Sequence, residues 1–247
     1  MQHFILTRFD VHVQGWSKPT SEWIAHRNRL FEKFCLPSVV NQSSSDFKWL
    51  VFFDGNEPEH TAQIRRSACR FPFFTPILLQ EQFSFKLART IVRSYRQEVS
   101  DLIITSRLDN DDAVCRDYVE TVQTIAEGGR TQTPFAINFS NGWVMSSKEI
   151  RASRQPSNPF LSLVESGPDL STVWAAAHHN IGKLFPIVES IKDPAWLQII
   201  HEKNKSNIMQ GEVLSDASLN EKFPWAALEV QGASGEAGDR PLYSPCH

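Results

Sequence analysis

Short apolar runs alternate with amphipathic stretches along the first half of the chain. Residues 4–9 and 47–53 are mostly apolar, and each run has the length of a buried strand. Between them, apolar side chains recur at helical spacing from Ser21, a candidate helix N-cap, up to Pro37. A strand, a helix and a second strand in this order favour parallel pairing with a right-handed crossover.

The alternation continues downstream. We expect helices over residues 60–70, 85–99, 113–127 and 214–223, and strands over residues 76–79, 101–108, 135–139 and 143–145, the last two as a hairpin. Residues 231–239 are rich in Gly, Ser and Ala, which is typical of a loose tail. The predicted fold class is α/β: a single Rossmann-like domain at residues 1–227, with a mostly parallel central sheet and an irregular C-terminal half, followed by a loose tail at residues 228–247.

Composition narrows the class of protein. The 247 residues are 41% hydrophobic and 21% charged with a net charge of −3, which is typical of a globular protein and gives no sign of a nucleic-acid partner. The four cysteines are widely scattered, so neither a zinc ribbon nor a disulfide framework is expected. No signal peptide and no apolar run of roughly 20 residues is visible. We therefore expect a cytoplasmic protein without a transmembrane segment.

The acidic turn, defined as Asp109-Asn110-Asp111-Asp112, follows one of the predicted strands directly. Ligands of parallel α/β sheets bind at the carboxyl ends of strands, and crowded carboxylates favour a compensating cation. We expect Asp109 and Asp111 to bind a divalent cation, Mn or Mg, and Asp112 to cap the following helix or support the metal site. Arg107 is predicted to contact phosphate, or else to pair with a neighbouring aspartate. Ordinary turn roles for the aspartates are the alternative.

Residues 105–113 read TSRLDNDDA, and this run resembles the metal-binding signature of a bacterial rhamnosyltransferase family. That family is similar to nucleotide-sugar glycosyltransferases of the GT-A fold, whose DxD motif holds the cation. The resemblance extends over residues 4–223. It is strengthened by residues 36–42 with 46–49, by residues 158–165, and by residues 194–201 with Asn204.

The resemblance implies a GT-A-like domain that binds a nucleoside diphosphate sugar. Arg8, Phe9 and Asp54, at the ends of the first two predicted strands, would cradle the nucleobase and ribose. Core packing is the alternative for Phe9, and a plain β-turn is the alternative for Asp54. The resemblance also implies that His201 completes the metal site, although a surface or core histidine remains an equal alternative.

An inverting transferase also needs a base for the acceptor hydroxyl. Glu165 is our first candidate because it lies in a motif shared with the family, and His178 is the second. A solvated surface carboxylate is the alternative for Glu165. A joint metal site of His178 with the adjacent His179 is not expected, because neighbouring helical residues face different directions.

These observations predict a metal-dependent glycosyltransferase of polysaccharide biosynthesis. It would transfer a sugar to a hydroxyl of a glycan or glycolipid. The family's name makes rhamnose the first candidate for that sugar. There are two alternatives. The first is a metal-dependent nucleotidyltransferase or phosphohydrolase, but the chain has no GxxxxGKS phosphate-binding loop to support it. The second is a non-catalytic sugar-nucleotide binder.

A basic stripe of Arg89, Arg93 and Arg96 on one predicted helix leaves a peripheral membrane contact open. A stripe of this kind could also attract an anionic sugar nucleotide. A solvated helix face is the simpler interpretation.

Overall fold

The computed structural model describes residues 1–99, 101–201 and 209–227. These residues form twelve strands: β1 (Gln2–Arg8), β2 (Lys48–Asp54), β3 (Phe74–Leu79), β4 (Ile103–Arg107), β5 (Ala113–Val114), β6 (Phe135–Phe139), β7 (Asn141–Met145), β8 (Ile150–Arg154), β9 (Ser162–Glu165), β10 (Ile187–Ser190), β11 (Trp196–Ile199) and β12 (Glu212–Leu214). The α-helices are α1 (Ser21–Leu30), α2 (Leu36–Val40), α3 (Ala62–Ala68), α4 (Phe85–Ser94), α5 (Tyr118–Gly128), α6 (Asp216–Lys222) and α7 (Pro224–Ala227). The predicted tail at residues 228–247 and the motif residue Asn204 lie outside the described residues.

The central sheet has seven strands in the order β10-β6-β9-β4-β1-β2-β3. The pairs around β1, β2, β3 and β4 are parallel, and so is the pair of β6 with β10. Only β9 runs antiparallel to its two neighbours within this sheet. This topology confirms the predicted α/β class with a mostly parallel central sheet.

A second sheet of five strands, in the order β12-β8-β7-β11-β5, occupies the C-terminal half. The predicted hairpin between residues 135–139 and 143–145 is wrong, because β6 belongs to the central sheet whereas β7 pairs with β8. Gly142 does not serve a hairpin turn. A Cβ atom built on it would lie 2.0 Å from the Trp196 ring, so glycine is needed for the indole to pack against β7.

Two predicted helices begin later than their apolar patterns indicate. Residues 113–127 do not form one helix, because Ala113 and Val114 pair with β11 before α5 begins at Tyr118. In the same way, β12 precedes α6 where the pattern predicts a single helix. In both places a short strand pairs with another strand that is distant in the sequence. A local apolar pattern does not reveal such a pairing.

The helix predicted from Ser21 continues beyond Pro37. A π-helical segment (Phe31–Cys35) joins α1 to α2. Pro37 is the second residue of α2 and follows directly on the π-helical segment.

Apolar side chains pack on both faces of the central sheet. On one face, Trp49, Val51 and Phe53 of β2 pack with Phe31 of the π-helical segment. On the other face, Phe52 packs with the side chains around α4. This alternation along β2 fixes which residues reach the core and leaves the carboxyl ends of the strands open for a site.

The basic stripe has mainly structural contacts. Arg93 donates to the carbonyl of Leu170 at 3.1 Å, and Arg96 donates to the carbonyl of Glu98 at 2.7 Å. These bonds hold the loops that flank α4. None of the helices in the described part of the chain has the length and apolar character of a membrane span.

Candidate functional site

The carboxyl ends of β1 and β4 lie side by side, with Leu6 opposite Arg107 in the parallel register. The acidic turn follows β4 at this edge of the sheet, where α/β proteins bind ligands. A cleft of about 680 Å³ opens in front of it. The cleft brings together these predicted site residues: Arg8, Phe9, Arg107, Asp109, Asp111 and His178.

Asp109 and Arg107 form a two-pronged ion pair within the turn. Arg107 donates from Nε to Oδ1 of Asp109 at 3.2 Å and from Nη2 to Oδ2 at 2.7 Å. Burial works to raise the pKa of Asp109, but the guanidinium of Arg107, helped by those of Arg8 and Arg27, outweighs burial and lowers it to about 2. Asp109 is therefore ionised. Of the two predictions for Arg107, this contact matches the salt bridge to a neighbouring aspartate.

Asp111 is 3% exposed and sits between a guanidinium and an imidazole. Arg27 of α1 makes an ion pair with Oδ2 of Asp111, and Nε2 of His201 lies 3.0 Å from the same atom. Nδ1 of His201 in turn lies 3.3 Å from Nε2 of His26. The structure thus joins Asp111 and His201, two of the three predicted metal ligands.

The other two residues of the turn hold the backbone in place. Asn110 accepts a bond from Arg27 at 3.1 Å and donates to the carbonyl of Phe9 at 3.2 Å. Asp112 accepts the backbone N–H of Ile199 in β11 at 2.9 Å. Its predicted role as a helix cap is wrong, because α5 begins only at Tyr118 and has Asp117 at its N-cap position. Burial, with the charges of Asp111 and Asp109, raises the pKa of Asp112 well above its usual range.

Phe9 lines the main cleft, whereas Asp54 lies beside it, and the contacts of both side chains match the alternatives to a nucleotide cradle. The Phe9 ring is 2% exposed and packs 5.1 Å from the rings of both Phe31 and Phe53, which matches its core alternative. Asp54 faces a smaller cavity of about 150 Å³ beside the main cleft. It accepts bonds from the backbone N–H and side-chain amide of Asn56 at 2.8 and 2.9 Å, which matches its turn alternative.

The structure corrects the choice of base. Glu165 is the partner of Ile103 at the start of β4, whereas the acidic turn follows the end of β4, so roughly 13 Å of strand separates them. Both Glu165 oxygens accept backbone N–H groups, from Ser171 at 2.7 Å and Thr172 at 2.9 Å. Glu165 therefore supports a loop at the opposite edge of the sheet and cannot reach the cleft.

His178, by contrast, is half-buried in the cleft. Burial, followed by the positive charges of Arg107 and His179, lowers the pKa of His178 below its usual value. A neutral imidazole in this position can accept a proton.

Sequence reasoning missed Arg27 and His26. Both lie on the first predicted helix, and Arg27 stacks on Trp23, one helical turn earlier, with its guanidinium carbon 4.9 Å from the ring centroid. The spacing of Trp23 and Arg27 was the available signal. It does not show that this face of α1 meets the acidic turn.

The donor set fits a cation whose coordination is completed by substrate. Within residues 1–99, 101–201 and 209–227, no group of three or more His, Cys, Asp or Glu side chains is arranged to hold a metal ion. Mg²⁺ commonly takes only one or two carboxylates and completes its shell with water and substrate phosphate. The oxygens of Asp109 and Asp111 at the cleft have the right chemistry for such a site.

Comparison with known proteins gives a family and several structures. A family model described as "Putative rhamnosyl transferase" matches residues 19–213. No curated protein sequence matches the chain. Similar structures include residues 1–349 of S. aureus TarS, with 10% identity, a TM-score of 0.47 and coverage of 81% of this chain and 60% of that one.

A second similar structure is titled "putative nucleotide-diphospho-sugar transferase" and comes from Desulfovibrio desulfuricans G20. It has 10% identity, a TM-score of 0.46 and coverage of 94% of this chain and 96% of that one. The chain spans 41% of a longer TarS structure, at 11% identity and a TM-score of 0.46. Because the family model covers most of the sequence, from residue 19 to residue 213, the chain belongs to the rhamnosyl transferase family that this model describes.

Proposed function

We propose that this protein is a metal-dependent glycosyltransferase that moves a sugar from a nucleoside diphosphate sugar to a hydroxyl of a glycan or glycolipid. Rhamnose is the first sugar to test, because the family description names it. One observation carries the proposal: a single cleft at the carboxyl edge of the sheet contains two ionisable aspartates, Asp109 and Asp111, together with the half-buried His178. The three side chains supply charge and a proton acceptor at one place.

Asp109, Asp111 and His201 would hold the divalent cation, Mn²⁺ or Mg²⁺. Such a cation, bound to the diphosphate, offsets the negative charge that develops on the departing nucleotide. Asp111 is the central ligand in this proposal, because it is the carboxylate that His201 contacts at 3.0 Å. Arg107 keeps Asp109 ionised and oriented through its two hydrogen bonds.

His178 acts as the base in this proposal. Its lowered pKa keeps the imidazole neutral near pH 7, so it is ready to take the proton of the acceptor hydroxyl. The proton that leaves the hydroxyl oxygen binds a ring nitrogen of His178 as that oxygen forms its bond to the sugar carbon. At the same time the bond between that carbon and the diphosphate oxygen breaks, and its electron pair leaves with the nucleoside diphosphate.

A two-step experiment tests the function. Nucleoside diphosphate sugars, with the rhamnose donors first, are screened by thermal shift with and without Mn²⁺. Donors that stabilise the protein only with the cation are then assayed for acceptor-dependent release of the nucleoside diphosphate. The matched control is Asp111→Asn, which keeps the shape of the side chain and removes its charge.

We expect stabilisation and release with the wild-type protein and neither with the control. If no donor stabilises the wild-type protein under any condition, the proposed function is wrong. If donors bind but no nucleoside diphosphate is released with any acceptor, the protein is a binder. Full release after EDTA treatment would remove the cation from the proposal.

A further inference from the structure

Three arginines line the cleft, and two of them already have carboxylate partners. Arg107 pairs with Asp109, and Arg27 pairs with Asp111. The third, Arg8, differs: among the residues that the structure describes, its guanidinium has no hydrogen bond and no ion pair. Arg8 therefore brings an unmatched positive charge to the cleft.

Two aromatic rings hold the guanidinium of Arg8. Its central carbon lies 5.7 Å from the ring centroid of Phe83 and 5.9 Å from that of Trp174. These two rings also contact each other edge-to-face, with centroids 5.3 Å apart. The rings therefore restrict the side chain, so that less conformational entropy is lost when a ligand binds.

The surroundings of Arg8 favour an anionic ligand. Burial works against its charged form and lowers its pKa, and the nearby Arg107 acts in the same direction, while Asp109 opposes them. A charge removed from water and left without a hydrogen-bonding partner is unfavourable. An anion that enters the cleft would relieve this cost and gain charge-assisted hydrogen bonds.

The position of Arg8 in the sheet indicates which anion it can bind. Leu6 is opposite Arg107 in the parallel register of β1 and β4. Arg8 lies two residues beyond Leu6, and Asp109 lies two residues beyond Arg107, so both follow at the same edge of the sheet. A diphosphate held at the aspartates of the acidic turn through a cation would thus lie close to Arg8.

We propose that Arg8 binds the diphosphate of the sugar nucleotide, rather than its base or ribose, and supplies positive charge from the protein beside the acidic turn. This inference rests on the proposed function and deepens it. It assigns the three arginines different tasks: Arg27 and Arg107 pair with and orient the aspartates, and Arg8 pairs with the ligand.

The test compares binding of matched ligands by calorimetry. The probes are inorganic pyrophosphate, the uridine, thymidine and guanosine diphosphates, and the corresponding nucleosides, each with Mn²⁺. The variants are Arg8→Gln, which removes the charge, Arg8→Lys, which keeps it, and Arg130→Gln, an arginine on the surface that pairs with Glu127. Circular dichroism and the Tm check that each variant is folded.

We expect Arg8→Gln to weaken binding of pyrophosphate and of the preferred nucleoside diphosphate by about 10–100-fold. Nucleoside binding should stay unchanged, Arg8→Lys should recover part of the loss, and Arg130→Gln should bind like the wild type. Unchanged diphosphate binding by folded Arg8→Gln overturns the inference. An equal loss for nucleosides also overturns it, because that pattern belongs to a residue that contacts the base.

The two proposals fail in different ways. If the wild-type protein binds diphosphates through Arg8 but transfers no sugar, the inference stands and the proposed function is wrong. If the wild-type protein binds neither pyrophosphate nor any of the nucleoside diphosphates, both are wrong. If sugar transfer is observed but folded Arg8→Gln keeps its affinity for diphosphates, only the inference is wrong.

Discussion

Nε2 of His201 lies 3.0 Å from Oδ2 of Asp111, although 90 positions separate the two residues in the sequence. The contact depends on the second sheet. His201 follows β11, and the N–H of Ile199 in that strand donates to Asp112 at 2.9 Å. Asp112 thus fastens the acidic turn to β11, and this brings His201 to Asp111.

Neutralising the aspartates one at a time should separate their roles. Asp111→Asn and Asp109→Asn should each lower kcat/KM by about 100-fold or more, because each removes a carboxylate that would hold the cation against the diphosphate. Asp112→Asn should stay within a few-fold of the wild type, since an amide oxygen can still accept the N–H of Ile199. Initial rates at saturating Mn²⁺ measure this. Equal losses in all three variants would contradict the division of roles.

The sequence predicts the part of this site that is local. A buried strand followed directly by three carboxylates indicates a ligand edge, and Asp109, Asp111 and Arg107 are found there. The partners of those residues come from α1 and β11, whose approach depends on the packing of the whole chain. Arg27 was therefore missed, and Glu165 was placed at the wrong edge, because chain order does not reveal that β9 runs antiparallel to β4.

His26 should act as a positioning residue for His201. Its Nε2 lies 3.3 Å from Nδ1 of His201, and groups that orient a metal-ligating histidine typically contribute 10–100-fold in metal affinity or activity. We expect His26→Ala to weaken Mn²⁺ binding by about that factor. His26→Gln should recover much of the loss, because its amide can still contact His201.

Titration of the protein with Mn²⁺ by paramagnetic resonance, in the presence of nucleoside diphosphate, measures the affinity directly. A change in Tm without a change in affinity would limit His26 to a structural role. So would a failure of His26→Gln to recover any affinity while it folds normally.

His178→Gln should reduce kcat by about 100-fold or more if the imidazole is the base. Because the pKa of His178 is below its usual value, the neutral form persists to lower pH than for an ordinary histidine. The acidic limb of the wild-type rate profile should therefore lie below pH about 6.5. The same limb should be absent in His178→Gln. A limb that survives the substitution would assign the base to another group.

Glu165→Gln should affect stability and leave chemistry intact. The carboxylate accepts two backbone N–H groups, and one of these belongs to Thr172, whose φ of 68° is in the left-handed region. Replacing one oxygen by an amide group leaves one of these N–H groups without an acceptor, at a cost of about 1–3 kcal/mol. Urea unfolding measures this, with Glu59→Gln on the surface as the control. A large fall in the activity of folded Glu165→Gln would restore it as a candidate base.

Asp10 should make stability depend on pH in the direction opposite to that of an ordinary paired carboxylate. The side chain is 1% exposed, and its Oδ2 atom has no hydrogen-bond partner among the described residues. Burial raises its pKa from 3.8 to about 6, although the N–H of Asp54 opposes the shift. The folded protein thus holds a proton at Asp10 that the unfolded chain releases.

The stabilisation from this proton is complete below pH about 3.8 and is lost as the pH rises through about 6. Its full size is about 3 kcal/mol. Other carboxylates titrate in the same range, so the informative quantity is the difference between two proteins. We expect the free energy of unfolding of Asp10→Asn, relative to the wild type, to increase by up to that amount between pH 4 and pH 7.5.

Urea unfolding followed by tryptophan fluorescence at several pH values gives this difference. Asp169→Asn is a suitable control, because the Asp169 side chain is 95% exposed and its substitution should give a difference that hardly changes with pH. A flat difference for Asp10→Asn as well would mean that Asp10 is ionised in the folded protein. In that case a partner must compensate its buried charge, since an isolated buried carboxylate is strongly unfavourable.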